Sequence, residues 1–145
     1  MRAVIQRVTS ANVIVDGELI SEIGPGLLTL LGIRDGDTKA EVDWIIEKIT
    51  ALRVFDDAEG RMNLSLKDIG GQHLIVSQFT LWGETKKGNR PSYSTAAKAE
   101  IARPLYEYAL EKSQGCGVPT KGGRFQAHMR VSLENDGPVT LIIES

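Results

Sequence analysis

The sequence holds a single cysteine, Cys116, among 145 residues. One thiol excludes an intrachain disulfide and any multi-cysteine zinc or iron–sulfur centre, and it suits a reducing cytoplasm. Histidine is scarce as well. His73 and His128 are the only two, and neither has a second ligand-type residue three or four positions away. No metal and no organic cofactor is therefore expected. Charge of one sign is not in excess: 17 Lys and Arg stand against 19 Asp and Glu, a net charge of −2. Contact with a polyanion then requires a local patch rather than bulk charge. The longest apolar run, Gly24–Ile33, is broken by glycine, proline and Thr29 and is too short to cross a bilayer. No charged segment leading into an apolar one opens the chain, so no signal peptide is expected. No low-complexity tract or internal repeat divides the sequence. One cytoplasmic domain over residues 1–145 is the expectation.

Several common chemistries are also missing. No G-x-S-x-G elbow surrounds any serine. Gly117–Gly123 resembles a phosphate loop, but Gly123 stands where the lysine must be. Gly24-Pro25-Gly26 lacks the third glycine of a dinucleotide fingerprint and the helix after it. The histidines read as structural or surface residues, and Cys116, in Gly-Cys-Gly, as a packing or loop thiol. Trp44 and Trp82 read as residues of the core or its margin.

What is present is a globular composition, 41% hydrophobic and 25% charged. Ala3–Val8 and Asn12–Val15 are β-branched and short, and Asp16-Gly17 before Leu19-Ile20 is a hairpin signal. Gly26–Ile33 reads as a buried strand. Thr38 and Glu41 fit a capping box, and Val42, Ile45, Ile46, Ile49 and Leu52 follow at helical spacing. A polar stretch, Asp56–Gly71, leads to a third apolar strand, Leu74–Leu81. A second helix is expected from Ser94 or Thr95, with Ile101, Leu105 and Tyr108 on one face and a kink or restart at Pro104. Met129–Leu133 and Val139–Ile143 flank Asn135-Asp136-Gly137-Pro138 as a final hairpin. The expected fold is α+β: a mainly antiparallel, barrel-like sheet with two helices.

Three segments carry possible chemistry. Ser77-Gln78-Phe79-Thr80 places two hydroxyls and an amide at the end of an apolar strand, where alternation sets Gln78 and Thr80 on one face. A strand leaving the core reads equally well. Lys86-Lys87-Gly88-Asn89-Arg90 holds three positive charges that suit either a solvated loop or a phosphate contact. Gly137-Pro138 taken alone reads as an ordinary trans turn.

Together with their flanks, these motifs resemble the bacterial D-aminoacyl-tRNA deacylases, first named D-tyrosyl-tRNA(Tyr) deacylases. The resemblance runs through Met1–Val8, Gly24–Leu27, Met62–Ser65, Ser77–Leu81, Thr85–Ser92 and Val131–Thr140. It implies a homodimer that hydrolyses the ester between a D-amino acid and the terminal ribose of tRNA, and glycyl-tRNA mischarged on tRNA(Ala) as well. By this resemblance Ser77, Gln78, Phe79 and Thr80 form the catalytic pocket, with main-chain amides near Phe79 polarising the ester carbonyl. Thr80 then positions rather than attacks, because the ribose 2′-hydroxyl can assist water. The resemblance makes Gly137-Pro138 cis and projects it into the partner's pocket, where it excludes L-side chains by a clash. Phe125, Ala127 and Met129 become substrate-binding positions, and Lys86, Lys87 and Arg90 become tRNA contacts. One departure stands out: Gln126 lies where the family usually has glycine. Two rival classes are an RNA-binding module without turnover and a hydrolase for another acyl ester or D-peptide.

Overall fold

The computed structural model describes residues 1–145. In chain order the elements are β1 (Arg2–Val15), β2 (Glu18–Ile23), β3 (Gly26–Gly32), α1 (Lys39–Ala51), β4 (Phe55–Asp56), β5 (Met62–Leu64), β6 (Gln72–Ser77), α2 (Ala99–Gly115), β7 (Thr120–Gly122) and β8 (Arg130–Glu144). The main sheet has the order β2-β1-β3-β6-β7, with β8 on the free edge of β1, and β4-β5 form a separate ribbon. Strand β1 pairs antiparallel with β2, β3 and β8, whereas β3–β6 and β6–β7 are parallel. The parallel pairs follow from connectivity, because the chain returns to the sheet only after crossing over α1 and later α2. Between the far edges, Lys121 Nζ donates to the Glu22 carbonyl at 2.7 Å and the Ser21 hydroxyl to the Gly122 carbonyl. The sheet is thereby curled into a nearly closed, barrel-like form.

Two strands expected at the N-terminus are one. Arg2–Val8 pairs with β3 and Ala11–Val15 with β2, on the same edge of β1. The exposed Thr9-Ser10 pair marks the bend, where the register against β8 also shifts. Ala3 and Ile5 enter one apolar cluster with α1 and α2, while Val8, Ala11, Val13 and Val15 enter a second with Leu28, Leu74 and Val76. A single bent strand thus supplies both cores.

The final hairpin is also a single strand. Arg130–Glu144 lies antiparallel along the whole of β1, from Arg2↔Glu144 to Ile14↔Arg130. Between Gln6↔Thr140 and Val8↔Asn135 the strand β8 carries surplus residues, so Asp136–Val139 are extruded as a bulge. The turn-forming residues serve that bulge. Local sequence cannot separate the two outcomes; the length of the β1 edge decides, since it accommodates both halves.

Helix α1 starts as expected, with the Thr38 hydroxyl accepting from the Ala40 amide and the Glu41 carboxylate accepting from the Thr38 amide at 2.7 Å. A cap of this kind contributes about 1 kcal/mol. Helix α2 begins at Ala99, later than expected, because Ala96 first bridges Arg34 just beyond β3: the Asp35 amide donates to the Thr95 carbonyl and the Ala97 amide to the Ile33 carbonyl. It runs unbroken through the exposed Pro104. Its buried stripe is Ala102, Leu105, Tyr106, Ala109 and Ser113, which leaves Ile101 41% exposed. Strand β6 stops at Ser77 rather than Leu81, and Phe79–Trp82 form a 3₁₀ turn. Gly32 makes room for it, since a Cβ there would lie 3.0 Å from both the Gln78 carbonyl oxygen and Leu81 Cβ. No helix is long and apolar enough to cross a membrane.

His73 is fully buried in a polar chain linking β3, β6, α2 and β7. The Thr120 hydroxyl donates to the Val118 carbonyl at 2.9 Å, so Ser113 must donate to Thr120 at 2.7 Å. Ser113 then accepts from His73 Nδ1 at 2.8 Å, and Nε2 of the neutral ring accepts from the Thr29 hydroxyl at 2.7 Å. Burial pushes the His73 pKa down to about 3. In the unfolded chain the ring titrates near 6.5, so the unfolded state binds the extra proton between about pH 6.5 and 3. Stability is therefore full above that window and falls as pH drops through it, by at most about 1.4 kcal/mol per pH unit from this group. An NMR titration of the His73 ring is expected to show it neutral at pH 5 in the folded protein. Protonation near pH 6.5 there would contradict this.

Candidate active site

The chain leaves the sheet at the end of β6, where the Gln78 amide donates to the Leu31 carbonyl at 2.8 Å. The 3₁₀ turn then folds back, and the Gln78 side-chain amide donates to the Thr80 hydroxyl. Gln78 and Thr80 thus meet through this turn and not through strand alternation. The first amides of the turn, those of Phe79 and Thr80, have no acceptor within it. Phe79 is 55% exposed and packs edge-to-face on Tyr93, with ring centroids 5.2 Å apart.

Beside this turn lies a cavity of about 490 Å³. Val76, Ser77, Gln78 and Phe79 form one wall, and Ile33, Ala97, Ala99 and Ala102 form a second. Residues 125–129 and Val131 close the third. Ten of the fourteen lining residues are hydrophobic, and none is Lys, Arg, Asp or Glu. The small side chains at the start of α2 keep the space open.

The third wall is held from behind by Tyr106. Its hydroxyl donates to the Ile75 carbonyl at 2.8 Å, and its ring lies 5.8 Å from that of Phe125. Burial pushes the Tyr106 pKa up to about 12, so it remains a neutral donor at any physiological pH. Gly123 admits the Met129 sulfur, which would lie 2.6 Å from a Cβ at that position. Gln126 takes a left-handed conformation, φ +62°, which explains why glycine suits this site. Its Oε1 accepts from Arg103 Nη2 at 3.0 Å.

Of the residues expected from sequence, Ser77, Gln78, Phe79, Phe125, Ala127 and Met129 converge on this cavity. Thr80 does not line it and is exposed one residue further along the turn. Lys86, Lys87 and Arg90 are exposed on the loop closed by the Glu84–Ser92 pair, and no ion pair involves them. Gly137 and Pro138 are not brought to the cavity of their own chain. They form the β8 bulge, where their peptide bond is cis.

Arg7 fixes that bulge. Its guanidinium donates to the Asp136 carbonyl at 3.1 Å and the Val54 carbonyl at 2.7 Å, and it pairs with Asp56 and Asp136. Gly137, at φ +124°, could not carry a Cβ, which would lie 2.9 Å from Val139 Cγ2. Sequence reasoning missed His128, which lines the cavity, and the roles of Arg7, Tyr106 and the three alanines. A residue lying between Phe125 and Met129 was the available signal for His128. Cys116 ends α2 and does not line the cavity. Trp82 lies half-buried under the guanidinium groups of Arg2 and Arg34, and Trp44 is exposed.

A family model described as D-Tyr-tRNA(Tyr) deacylase matches residues 4–144. The chain is 53% identical over 145 residues to a D-aminoacyl-tRNA deacylase of Desulfitobacterium hafniense, covering 100% of this chain and 97% of the relative. It is 55% identical over 144 residues to one of Pelobacter propionicus, with 99% of each covered. Among solved structures, a c-Myc DNA unwinding element binding protein superposes with a TM-score of 0.95 at 44% identity, covering 100% of this chain and 99% of that one. A probable eukaryotic D-amino acid tRNA deacylase shares the fold, with a TM-score of 0.81 at 16% identity over 98% of this chain and 97% of its own. With that family model spanning nearly the whole chain and relatives above half identity along its full length, the protein belongs to the D-Tyr-tRNA(Tyr) deacylase family of hydrolases.

Proposed function

We propose that the cavity beside the Ser77–Phe79 turn receives the aminoacylated 3′ end of a D-aminoacyl-tRNA and hydrolyses its ester to free D-amino acid and tRNA. The observation that carries this is the meeting of an apolar cavity with the opening amides of a tight turn. The volume and apolar lining of the cavity suit an aminoacyl-nucleoside, which carries no phosphate. The Phe79 and Thr80 amides are free to stabilise the oxyanion that develops when the ester carbonyl is attacked.

No imidazole or carboxylate is hydrogen-bonded to Ser77 or Thr80, whose one side-chain partner is Gln78. An activated ester held in place needs positioning and oxyanion stabilisation more than a protein nucleophile. The ribose 2′-hydroxyl of the substrate assists water, and Thr80 holds Gln78 in place.

Chiral selection comes from a second copy of the chain. The bulge Asp136–Val139 does not line its own cavity and is tied by Arg7 and by Asn135 Nδ2, which donates to the carbonyls of Arg7 and Val139 at 2.9 Å. In a homodimer it reaches the partner's cavity, where its main chain clashes with an L-side chain and clears a D-side chain. The exposed Leu133, Leu141 and Ile142 on β8 support burial of this strand against a partner. Glycine lacks a Cβ, so glycyl-tRNA mischarged on tRNA(Ala) is also a substrate. Such a reaction belongs in the cytoplasm, where tRNA is charged. Lys86, Lys87 and Arg90 contact the tRNA backbone.

Rapid-quench reactions with D-tyrosyl-, L-tyrosyl- and glycyl-tRNA are expected to show loss of the D- and glycyl esters and sparing of the L-ester. Mass spectra of the quenched protein should show no acyl ester on Thr80. Equal cleavage of both enantiomers, or an acylated Thr80, would contradict the proposed selection or the proposed chemistry. Binding of tRNA without turnover would favour an RNA-binding module. Replacing Lys86, Lys87 and Arg90 by glutamine is expected to flatten the salt dependence of tRNA binding, by about 0.7 in log–log slope per lost contact. An unchanged slope would remove these residues from the interface.

A further inference from the structure

Building on the assignment of this cavity to the aminoacylated end of tRNA, we propose that Arg103 binds a phosphate of the incoming strand at the cavity rim, and that Gln126 positions it. Arg103 lies on α2 outside the lining, while its two partners, Phe125 and Gln126, both belong to it. Its guanidinium carbon sits 4.7 Å from the centroid of the Phe125 ring, and its Nη2 donates to Gln126 Oε1 at 3.0 Å. The ring contact and the amide hydrogen bond hold the guanidinium at two points. A planar fork held in this way suits bidentate recognition of phosphate.

Three further observations point to an external anion. First, Arg103 has no carboxylate partner: no ion pair in the molecule includes it, although Glu100 and Glu107 lie one turn away on the same helix. Gln126 satisfies one of its N–H groups without neutralising it. Second, the cavity lining has no Lys or Arg, so an aminoacyl-nucleoside fits inside while the attached phosphate must find its cation at the rim. Third, charge is segregated along the chain. Residues 85–130 hold nine Lys and Arg and three Asp and Glu, net +6, and the remainder holds 8 and 16, net −8, which together give −2. The positive segment includes the rim and the Lys86–Arg90 loop. Gln126 supports the same assignment, since it accepts a left-handed backbone conformation and spends its one side-chain hydrogen bond on Arg103.

The test compares two substrates, D-tyrosyl-tRNA and 3′-O-D-tyrosyl-adenosine, which has the same ester and no phosphate. Arg103→Ala is expected to raise KM for the tRNA about tenfold more than for the adenosine ester. The salt dependence of KM for the tRNA should become shallower by about 0.7 in log–log slope. Arg103→Lys should recover the salt dependence but only part of the affinity, because it keeps the charge and loses the fork. Gln126→Gly should show a smaller loss, again specific to the tRNA. Equal losses on the two substrates, or no loss on either, would overturn the proposal while leaving the cavity's assignment intact. If the unaltered protein cleaves neither ester, that assignment fails and this proposal fails with it.

Discussion

The guanidinium of Arg7, buried between β1, the β8 bulge and residues 54–56, is the contact on which the placement of the bulge depends. A charge taken out of water is tolerable only when it is paired and its donors are used. Here two backbone carbonyls and two carboxylates perform that service, and three separate segments are joined as a result. Without the guanidinium, the Val54 and Asp136 carbonyls would lose their donor, and the bulge would lose its anchor. Strand β1 supplies the rest of the frame, since β2, β3 and β8 all take their register from it.

A second device fixes the cavity. Parallel pairing of β6 with β3 brings Ser77 to the sheet's end opposite Leu31, next to the start of α2. The His73–Ser113–Thr120 chain ties β6 to α2 and β7 from within, and Tyr106 ties α2 to β6 through the Ile75 carbonyl and packs on Phe125. Buried polar groups that are all satisfied resist rearrangement more than apolar contacts of the same size, because any shift strands a donor or acceptor. The cavity is consequently preformed by its scaffold. That matters for the proposed reaction, in which placement replaces a protein nucleophile.

Local signals were legible in the sequence and long-range ones were not. The α1 cap and its apolar periodicity can be read within a few residues, and the structure follows them. The Asn135–Pro138 turn signal is equally local, yet it describes a bulge, because a strand fourteen residues long lies opposite both flanks. Phe79 and Leu81 continue an apolar pattern that suggests a strand, but the close approach permitted by Gly32 turns the chain instead. The cavity draws on residues 33, 76–79, 97, 99, 102, 125–129 and 131, a convergence that no spacing rule encodes. Resemblance to a family pointed to six of its fourteen lining residues. It did not point to Arg103 or His128, whose relevance comes from what they lie beside.

The central claim is a site shared between two chains, a cavity from one and a bulge from the other. Subunit complementation tests it most directly. A cavity variant, Phe79→Arg, and a bulge variant, Gly137→Val, are each expected to be inactive on D-tyrosyl-tRNA as pure proteins. Dissociated and reassociated together, they should regain deacylation, because each mixed dimer holds one intact cavity facing one intact bulge. Verified mixed dimers with no recovered activity would contradict the account, as would full activity from an isolated monomer.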